Sequence, residues 1–207
     1  SPPKKKPSPP PNLKISKLTH LTPLPRVVSL LEPGPILLVT TGSLPQNILT
    51  LGFHSMLQHS SPILITTVLG LWDASFNLLK QHKQFVLDIP DVSIAQTVVD
   101  IGNCSVNYGI NQWEKFKNDV KAKKAEKVDV PLVGGKGIIG NVECKVENES
   151  MVEKYNLWAL RVVNVWVGQD WEKKKMIHRR WDGKFSVDGE KILDLSERMV
   201  KWEGLLD

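Results

Sequence analysis

The chain alternates short apolar runs with polar breaks, and its first strong run is Ile36-Leu-Leu-Val-Thr-Thr41, entered after the break Glu32-Pro-Gly-Pro35. Continuous apolar character over this length predicts a strand buried on both faces. A tight polar connection at Gln46-Asn47 then predicts a hairpin return through Ile48-Leu-Thr-Leu51. Pro62 to Leu69 is a further β-rich run, opened by a proline at a position that needs no ladder donor. A helix follows, with Asp73 or Ser75 as its cap, Phe76 and Leu79 inward, and Lys80 and Lys83 near its end. Phe85 to Ile89 predicts a strand ended by Pro90, and Asp91 or Ser93 caps a second helix whose Ile94, Val98 and Ile101 follow helical spacing. Asn111 to Lys117, with Trp113 and Phe116 three apart, predicts a short third helix. In Asn141 to Glu147 the residues Val142, Cys144 and Val146 share one face and Glu143, Lys145 and Glu147 the other, the signature of a half-exposed antiparallel strand. Leu157 to Val167 is longer and rich in β-branched residues, and predicts a central strand.

Many strands with a cluster of short helices in the middle predict a mostly β, antiparallel barrel with helical insertions rather than alternating βαβ units. The Gly134-Gly-Lys-Gly137 run has the wrong glycine spacing for a dinucleotide fingerprint. At 207 residues the chain builds one main domain, expected over residues 25–207. Residues 1–24 are rich in proline and lysine, lack hydrophobic periodicity, and are expected to form a mobile arm. The longest apolar region, Ile63 to Leu71, is too short and too polar to span a membrane, and the start lacks the apolar centre of a signal peptide, so a cytoplasmic protein without membrane association is expected.

Charge narrows the partners. The net +5 is concentrated at Lys4 to Lys6 and at Lys121, Lys123, Lys124 and Lys127, not along a face interleaved with aromatic rings. That pattern reads as solvated tails and loops, and no nucleic-acid partner is expected. Cys104 and Cys144, without CxxC spacing, are expected to be reduced and packed. No His, Cys, Asp or Glu group has metal-ligand spacing, and no Ser-His-acid set can be placed.

The candidate chemistry lies between Asn47 and Ser75. Asn47, Thr50, Gly52, Phe53, His54 and Ser55 put small and hydrogen-bonding groups at the end of a buried strand, a shelf suited to a planar, phosphorylated ligand. Ser75, at a helix start, would add free N–H groups and a positive dipole end for a phosphate. His54 follows an aromatic residue and reads equally as a structural histidine, while His20, His59 and His82 read as structural or exposed. His178 beside Arg179 and Arg180 could meet the phosphate of a nicotinamide dinucleotide phosphate or form a solvated turn. Of the tryptophans, Trp72 and Trp181 sit at turns and are the better ligand candidates.

Pro35-Ile-Leu-Leu-Val-Thr-Thr41, Asn47-Ile-Leu-Thr50, Phe53-His-Ser-Met-Leu57, Ser75-Phe-Asn-Leu-Leu79, Phe85 to Pro90, Gly102-Asn-Cys-Ser105, Glu114-Lys-Phe116, Val130-Pro-Leu132, Asn141-Val-Glu-Cys144 and Tyr155-Asn-Leu-Trp158 occur in this order. In this succession the chain resembles the flavin reductase-like, FMN-binding split β-barrel proteins, flavoredoxin among them, from about residue 25 onward. The resemblance implies an antiparallel split barrel that pairs into a homodimer, with FMN in a groove at or beside the subunit interface and FAD as the alternative cofactor. It places Asn47 to Ser55 against the flavin, Ser75 near its phosphate, and Ser105 and Lys115 at a second polar patch. Tyr155, His178 and Trp181 are its candidates for nicotinamide or flavin contact. It implies an oxidoreductase that reduces flavin with NADH or NADPH and serves a partner oxygenase or another electron acceptor. The chemistry resides on the flavin, so no protein acid or base is required.

Departures from the family pattern qualify the site. The usual Ser-Gly is here Ser105-Val106, and the extra residues Asn107 to Gln112 separate it from Lys115. Asp73 precedes the phosphate-binding helix, so it either turns away to cap that helix or weakens FMN binding. The alternative function is a non-enzymatic carrier or sensor of the same barrel fold, holding flavin or haem.

Overall fold

The structure, a computed structural model, describes residues 34–42, 46–180 and 183–189. The expected arm at 1–24 and Trp181 lie outside the described residues. Strands β1 (Leu37–Thr41) and β2 (Asn47–Leu51) form the predicted hairpin, and β3 (His54–Gln58) and β4 (Leu64–Val68) a second one. Helix α1 (Ala74–His82) precedes β5 (Gln84–Pro90), and α2 (Ala95–Gly102) and α3 (Gln112–Lys115) follow it. Two short strands, β6 (Lys121–Lys123) and β7 (Leu132–Gly134), pair with each other. Long strands β8 (Ile138–Asn148) and β9 (Leu157–Val167) are joined through α4 (Val152–Tyr155), and β10 (Ile177–Arg179) pairs with β11 (Phe185–Val187).

The main sheet has seven strands in the order β2-β1-β5-β8-β9-β4-β3, every neighbouring pair antiparallel. It curls around α1 into a half-barrel, open between the outermost strands β2 and β3. The strand period of two sorts its side chains. Val39, paired with Leu49 on one side and Leu87 on the other, faces inward with Leu37, Phe85, Cys144, Trp158 and Leu160. Phe76 and Leu79 of α1 fill the interior; the Phe76 ring meets Trp158 edge-on at 5.4 Å, and the Trp158 indole N–H donates to the Leu69 carbonyl at 3.1 Å.

Ile36, Leu38 and Ile48 face outward, where Ile94, Val98 and Ile101 cover them. Both faces of β1 are therefore buried, as its unbroken apolar run predicts. Asp91 caps the turn Val92–Ile94 by accepting from the Ser93 N–H, so the second helical segment starts where the sequence placed it.

One expectation changes. On β8, Val142, Cys144 and Val146 do pack inward, but the opposite face is not simply solvated: Glu143 is wholly buried. Its carboxylate accepts from four donors, the Trp166 indole at 2.6 Å, the Asn164 amide at 3.0 Å, and the backbone N–H groups of Lys127 at 2.6 Å and Glu126 at 3.2 Å. The segment between β6 and β7 returns over this face and seals it with Ala125, Val128 and Val130 against Val86. Alternation reports which residues share a face; it does not report what later covers that face.

Candidate functional site

The candidate residues separate into three groups. At one end of the half-barrel, Thr41 and Asn47 are register partners on β1 and β2, and both turn inward toward the first turn of α1. The Thr41 hydroxyl donates to Ser75 Oγ at 2.8 Å and the Asn47 amide donates to it at 2.6 Å. Ser75 is completely buried, so its hydroxyl ties the helix to the hairpin rather than facing a ligand. What α1 offers outward is backbone, because the side chain of its N-cap residue makes no capping hydrogen bond. Asp73 occupies the cap position, yet its carboxylate turns back to accept from the Gly70 N–H at 3.0 Å. Burial raises the Asp73 pKa, and the Gly70 N–H offsets part of that rise. Asn47 Oδ1 is buried without a partner among the described residues.

Replacing Ser75 by alanine leaves two buried donors without an acceptor, and is expected to cost about 2–3 kcal/mol of stability. Urea unfolding checks this, and a loss below about 0.5 kcal/mol would contradict the anchoring role.

Aromatic side chains rim the entry to α1. Leu71 and Trp72 are each 73% exposed, and the Trp72 ring lies over Gly70, where a Cβ would collide with it. Phe53, half exposed, is tied to the same loop because its carbonyl accepts from the Val68 N–H at 3.1 Å. Exposed Tyr155 reaches it through Asn156, whose carbonyl takes the Leu69 N–H at 3.0 Å, and the Lys154 ammonium sits 5.0 Å from the Tyr155 ring centre. Gly52 links β2 to β3, and Ser55 is exposed on β3.

The second group lies on the outer side of β2. Thr50 Oγ1 donates to the Val98 carbonyl at 2.5 Å and packs against Gly102. Lys115 Nζ stands 3.1 Å from Cys104 Sγ and 5.4 Å from the Phe116 ring centre, and Ser105 caps the turn Val106–Tyr108 by accepting from the Asn107 N–H. Beside them runs a groove of about 810 Å³ whose walls include Gln46, Val106, Ile110, Trp113, Lys117 and Lys121. The Trp113 indole nitrogen and Gln112 Oε1 are buried without partners among the described residues. The residues that separate Ser105 from Lys115 thus build one wall of this groove, a role that spacing alone did not convey.

The third group lies at the β3 side. His54 Nε2 meets the Pro35 carbonyl at 2.8 Å, and Pro35 bridges to His178. His178 Nε2 in turn meets Asp188 Oδ1 at 2.7 Å. Burial of Asp188 alone would raise its pKa, but the Met176 N–H and His178 together hold it below the usual carboxylate range. Both cysteines are free, Cys144 fully buried and Cys104 partly so. Among the described residues no group of three His, Cys, Asp or Glu could hold a metal ion, and no helix is long and apolar enough to cross a membrane.

The seven-stranded antiparallel sheet curled around one short helix defines a split β-barrel of the flavin reductase-like type. Solved structures with this fold include an FMN-binding domain of flavin reductases-like enzyme from Shewanella baltica (22% identity, TM-score 0.68, covering 83% of this chain and 94% of that one). The chain is also similar to flavoredoxin of Desulfovibrio vulgaris (17% identity, TM-score 0.68, covering 79% and 91%) and to an NADH:FAD oxidoreductase of Streptomyces globisporus (14% identity, TM-score 0.66, covering 83% and 97%). No curated protein matches by sequence. Residues 30–185 match the flavin reductase like domain, and the chain belongs to that family.

Proposed function

We propose that this protein binds FMN, with FAD as the alternative, and catalyses its reduction by NADH or NADPH, the electrons then passing to a partner oxygenase or another acceptor. The observation that carries this reading is the start of α1, not capped by the Asp73 side chain and bordered by the 73%-exposed Trp72, in a chain of the flavin reductase-like family. The residues fit a planar phosphorylated group. Backbone N–H groups at a helix start favour a phosphate, the rings of Trp72 and Phe53 provide apolar flat surface, and the buried Asn47 Oδ1 is an acceptor that no described residue satisfies.

When bound, the flavin would supply the redox chemistry, taking a hydride from the nicotinamide and releasing electrons to the acceptor. The chain's own part is to bind and orient. Thr41, Asn47 and Ser75 hold the start of α1 rigidly against β1 and β2, which fixes the direction of its backbone donors. Asp73 is kept off those donors by its bond to Gly70, so its carboxylate does not compete with a phosphate for them. His178 and Tyr155 are the candidates among the described residues for nicotinamide or flavin contact, and His54 stays a candidate for the flavin.

A homodimer belongs to the same proposal. Phe53, Met56, Leu57, Ile63 and Val68 are exposed on and beside the sheet-edge strand β3. An apolar edge of this kind is a liability unless covered. A second copy of the chain is the proposed cover, and the cytoplasm the proposed location.

Titrating FMN into the purified protein and then adding NADH or NADPH without oxygen tests the reading. Saturable binding and bleaching of the yellow colour are expected, with Trp72→Ala weakening FMN about tenfold, the loss of about one aromatic contact. Yellow protein that does not bleach would support the carrier instead. Failure to bind FMN would overturn both.

A further inference from the structure

The Gly134-Gly-Lys-Gly137 run, unsuited to a dinucleotide fingerprint, acquires another meaning in three dimensions. With its own Lys136 it forms one wall of a cavity of about 760 Å³, whose other walls include Ser93, Lys121 and Lys123. Lys121 and Lys123 lie two apart on β6, and the strand period directs both to the same face. The glycines shape the cavity: a Cβ on Gly134 would occupy the space of the Lys123 side chain, one on Gly135 would strike the Asp119 carbonyl, and one on Gly137 would strike Ile94. The base of the loop is fixed, because Lys174 donates to the Lys136 and Ile138 carbonyls at 2.5 and 3.2 Å and pairs with Asp91 at 3.1 Å.

The charge in this cavity is unbalanced. Lys121, Lys123 and Lys136 make no ion pair with any described residue, whereas Lys117, Lys127, Lys173 and Lys174 each have an acidic partner. The only carboxylate in the lining among the described residues, Asp119, already accepts from the Thr97 hydroxyl at 2.7 Å. Three lysines lining one cavity at a glycine loop, with a serine at the edge, suit the closely spaced negative charges of a diphosphate. The volume lies within the range of about 300–1,000 Å³ typical of small-molecule sites. Among the described residues no aromatic ring lines the cavity, which leaves them without the stacking surface that single-stranded RNA requires.

We propose that the cavity formed by the Gly134–Gly137 loop with Lys121, Lys123 and Lys136 binds a small ligand through a diphosphate group. Two sources carry that group: a nucleoside diphosphate and the nicotinamide dinucleotide of the proposed reaction. Only the second rests on the flavin reading. The cavity shares Asn118 and Lys121 with the groove at Trp113, so the remainder of either ligand has an adjoining surface to occupy.

The test is titration of the full chain with inorganic pyrophosphate at low salt, followed by calorimetry, then competition with ADP, NADH and a short single-stranded RNA. Saturable binding is expected, weakened about thirtyfold in the Lys123→Gln, Lys136→Gln double variant, as loss of two charge-assisted contacts predicts. Gly134→Ala, which displaces Lys123, is expected to weaken it about fivefold, and Lys80→Gln, remote from the cavity, to leave it unchanged. Displacement by ADP and NADH alike assigns a nucleoside diphosphate; displacement by NADH alone assigns the dinucleotide. Absence of pyrophosphate binding at millimolar concentration, equal affinity in the double variant, or preferential displacement by RNA would each overturn the proposal. FMN titration of the double variant is expected to match that of the unsubstituted chain. Pyrophosphate binding by a protein that ignores FMN would sink the flavin reading and leave the diphosphate site standing.

Discussion

Replacing Asp88 by asparagine is expected to abolish a stability slope of on the order of 6 kcal/mol that the unsubstituted chain shows as pH rises from the ordinary carboxylate range to about 8. Asp88 is completely buried on the outward side of β5, and burial pushes its pKa up to about 8, against the opposing effect of the Val133 N–H at 2.9 Å and the Asn141 amide at 2.6 Å. Both donors reach Oδ1, and Oδ2 has no partner among the described residues, the arrangement of a neutral acid rather than a carboxylate. A folded-state pKa above the unfolded value of 3.8 means that the native chain holds the proton more tightly. The contribution to stability is therefore complete below that value and is lost as pH rises through about 8. Asparagine keeps an acceptor for the two donors and cannot ionise. Urea unfolding at a series of pH values measures the slope; an identical slope in Asp88→Asn would show that Asp88 is ionised in the native protein.

Glu143→Ala is expected to destabilise the fold by about 3–4 kcal/mol, because it strands four donors that the carboxylate now satisfies. Burial by itself would raise the Glu143 pKa, but the Trp166 indole, the Lys127 N–H, the Asn164 amide and the Glu126 N–H outweigh it and hold the acid below its ordinary value of 4.5. The sign is opposite to that at Asp88. Stability from Glu143 is present above the ordinary value and is lost as pH falls through the depressed one. Glu143→Gln retains one acceptor oxygen but turns an amide donor toward the backbone, so an intermediate loss is expected. Because the carboxylate fastens the segment between β6 and β7, amide exchange at Glu126 and Lys127 should accelerate in both variants. A change below about 1 kcal/mol in Glu143→Ala would refute the clamp.

These two acids also mark where sequence ceased to be informative. Asp88 lies within the apolar run Phe85 to Pro90, and Glu143 within a regular polar alternation; neither position signals that it is buried. Their partners are distant along the chain, Val133 and Asn141 for the first and Trp166 for the second. The site residues behaved similarly. Asn47 was legible as a polar position at a strand connection and Ser75 as one at a helix start, but the inward turn of the Ser75 hydroxyl follows from the close approach of α1 to the β1–β2 hairpin. Thr50, three residues beyond Asn47, lands on the opposite face of β2 and bonds to α2 instead.

By itself the sequence determined β1, β2, β4, β5, β8, β9 and the first three helices, the two-sided burial of β1, the helical face of Ile94, Val98 and Ile101, and the family, because periodicity, capping and ordered motifs are local signals carried by neighbouring residues. Only the tertiary structure decided that the candidate cofactor residues form three separate groups, that Glu143 is a buried clamp, and that Lys121, Lys123 and Lys136 line one cavity at a glycine loop. Those outcomes depend on which distant segment closes over which face, and that is settled by packing among segments far apart in the chain.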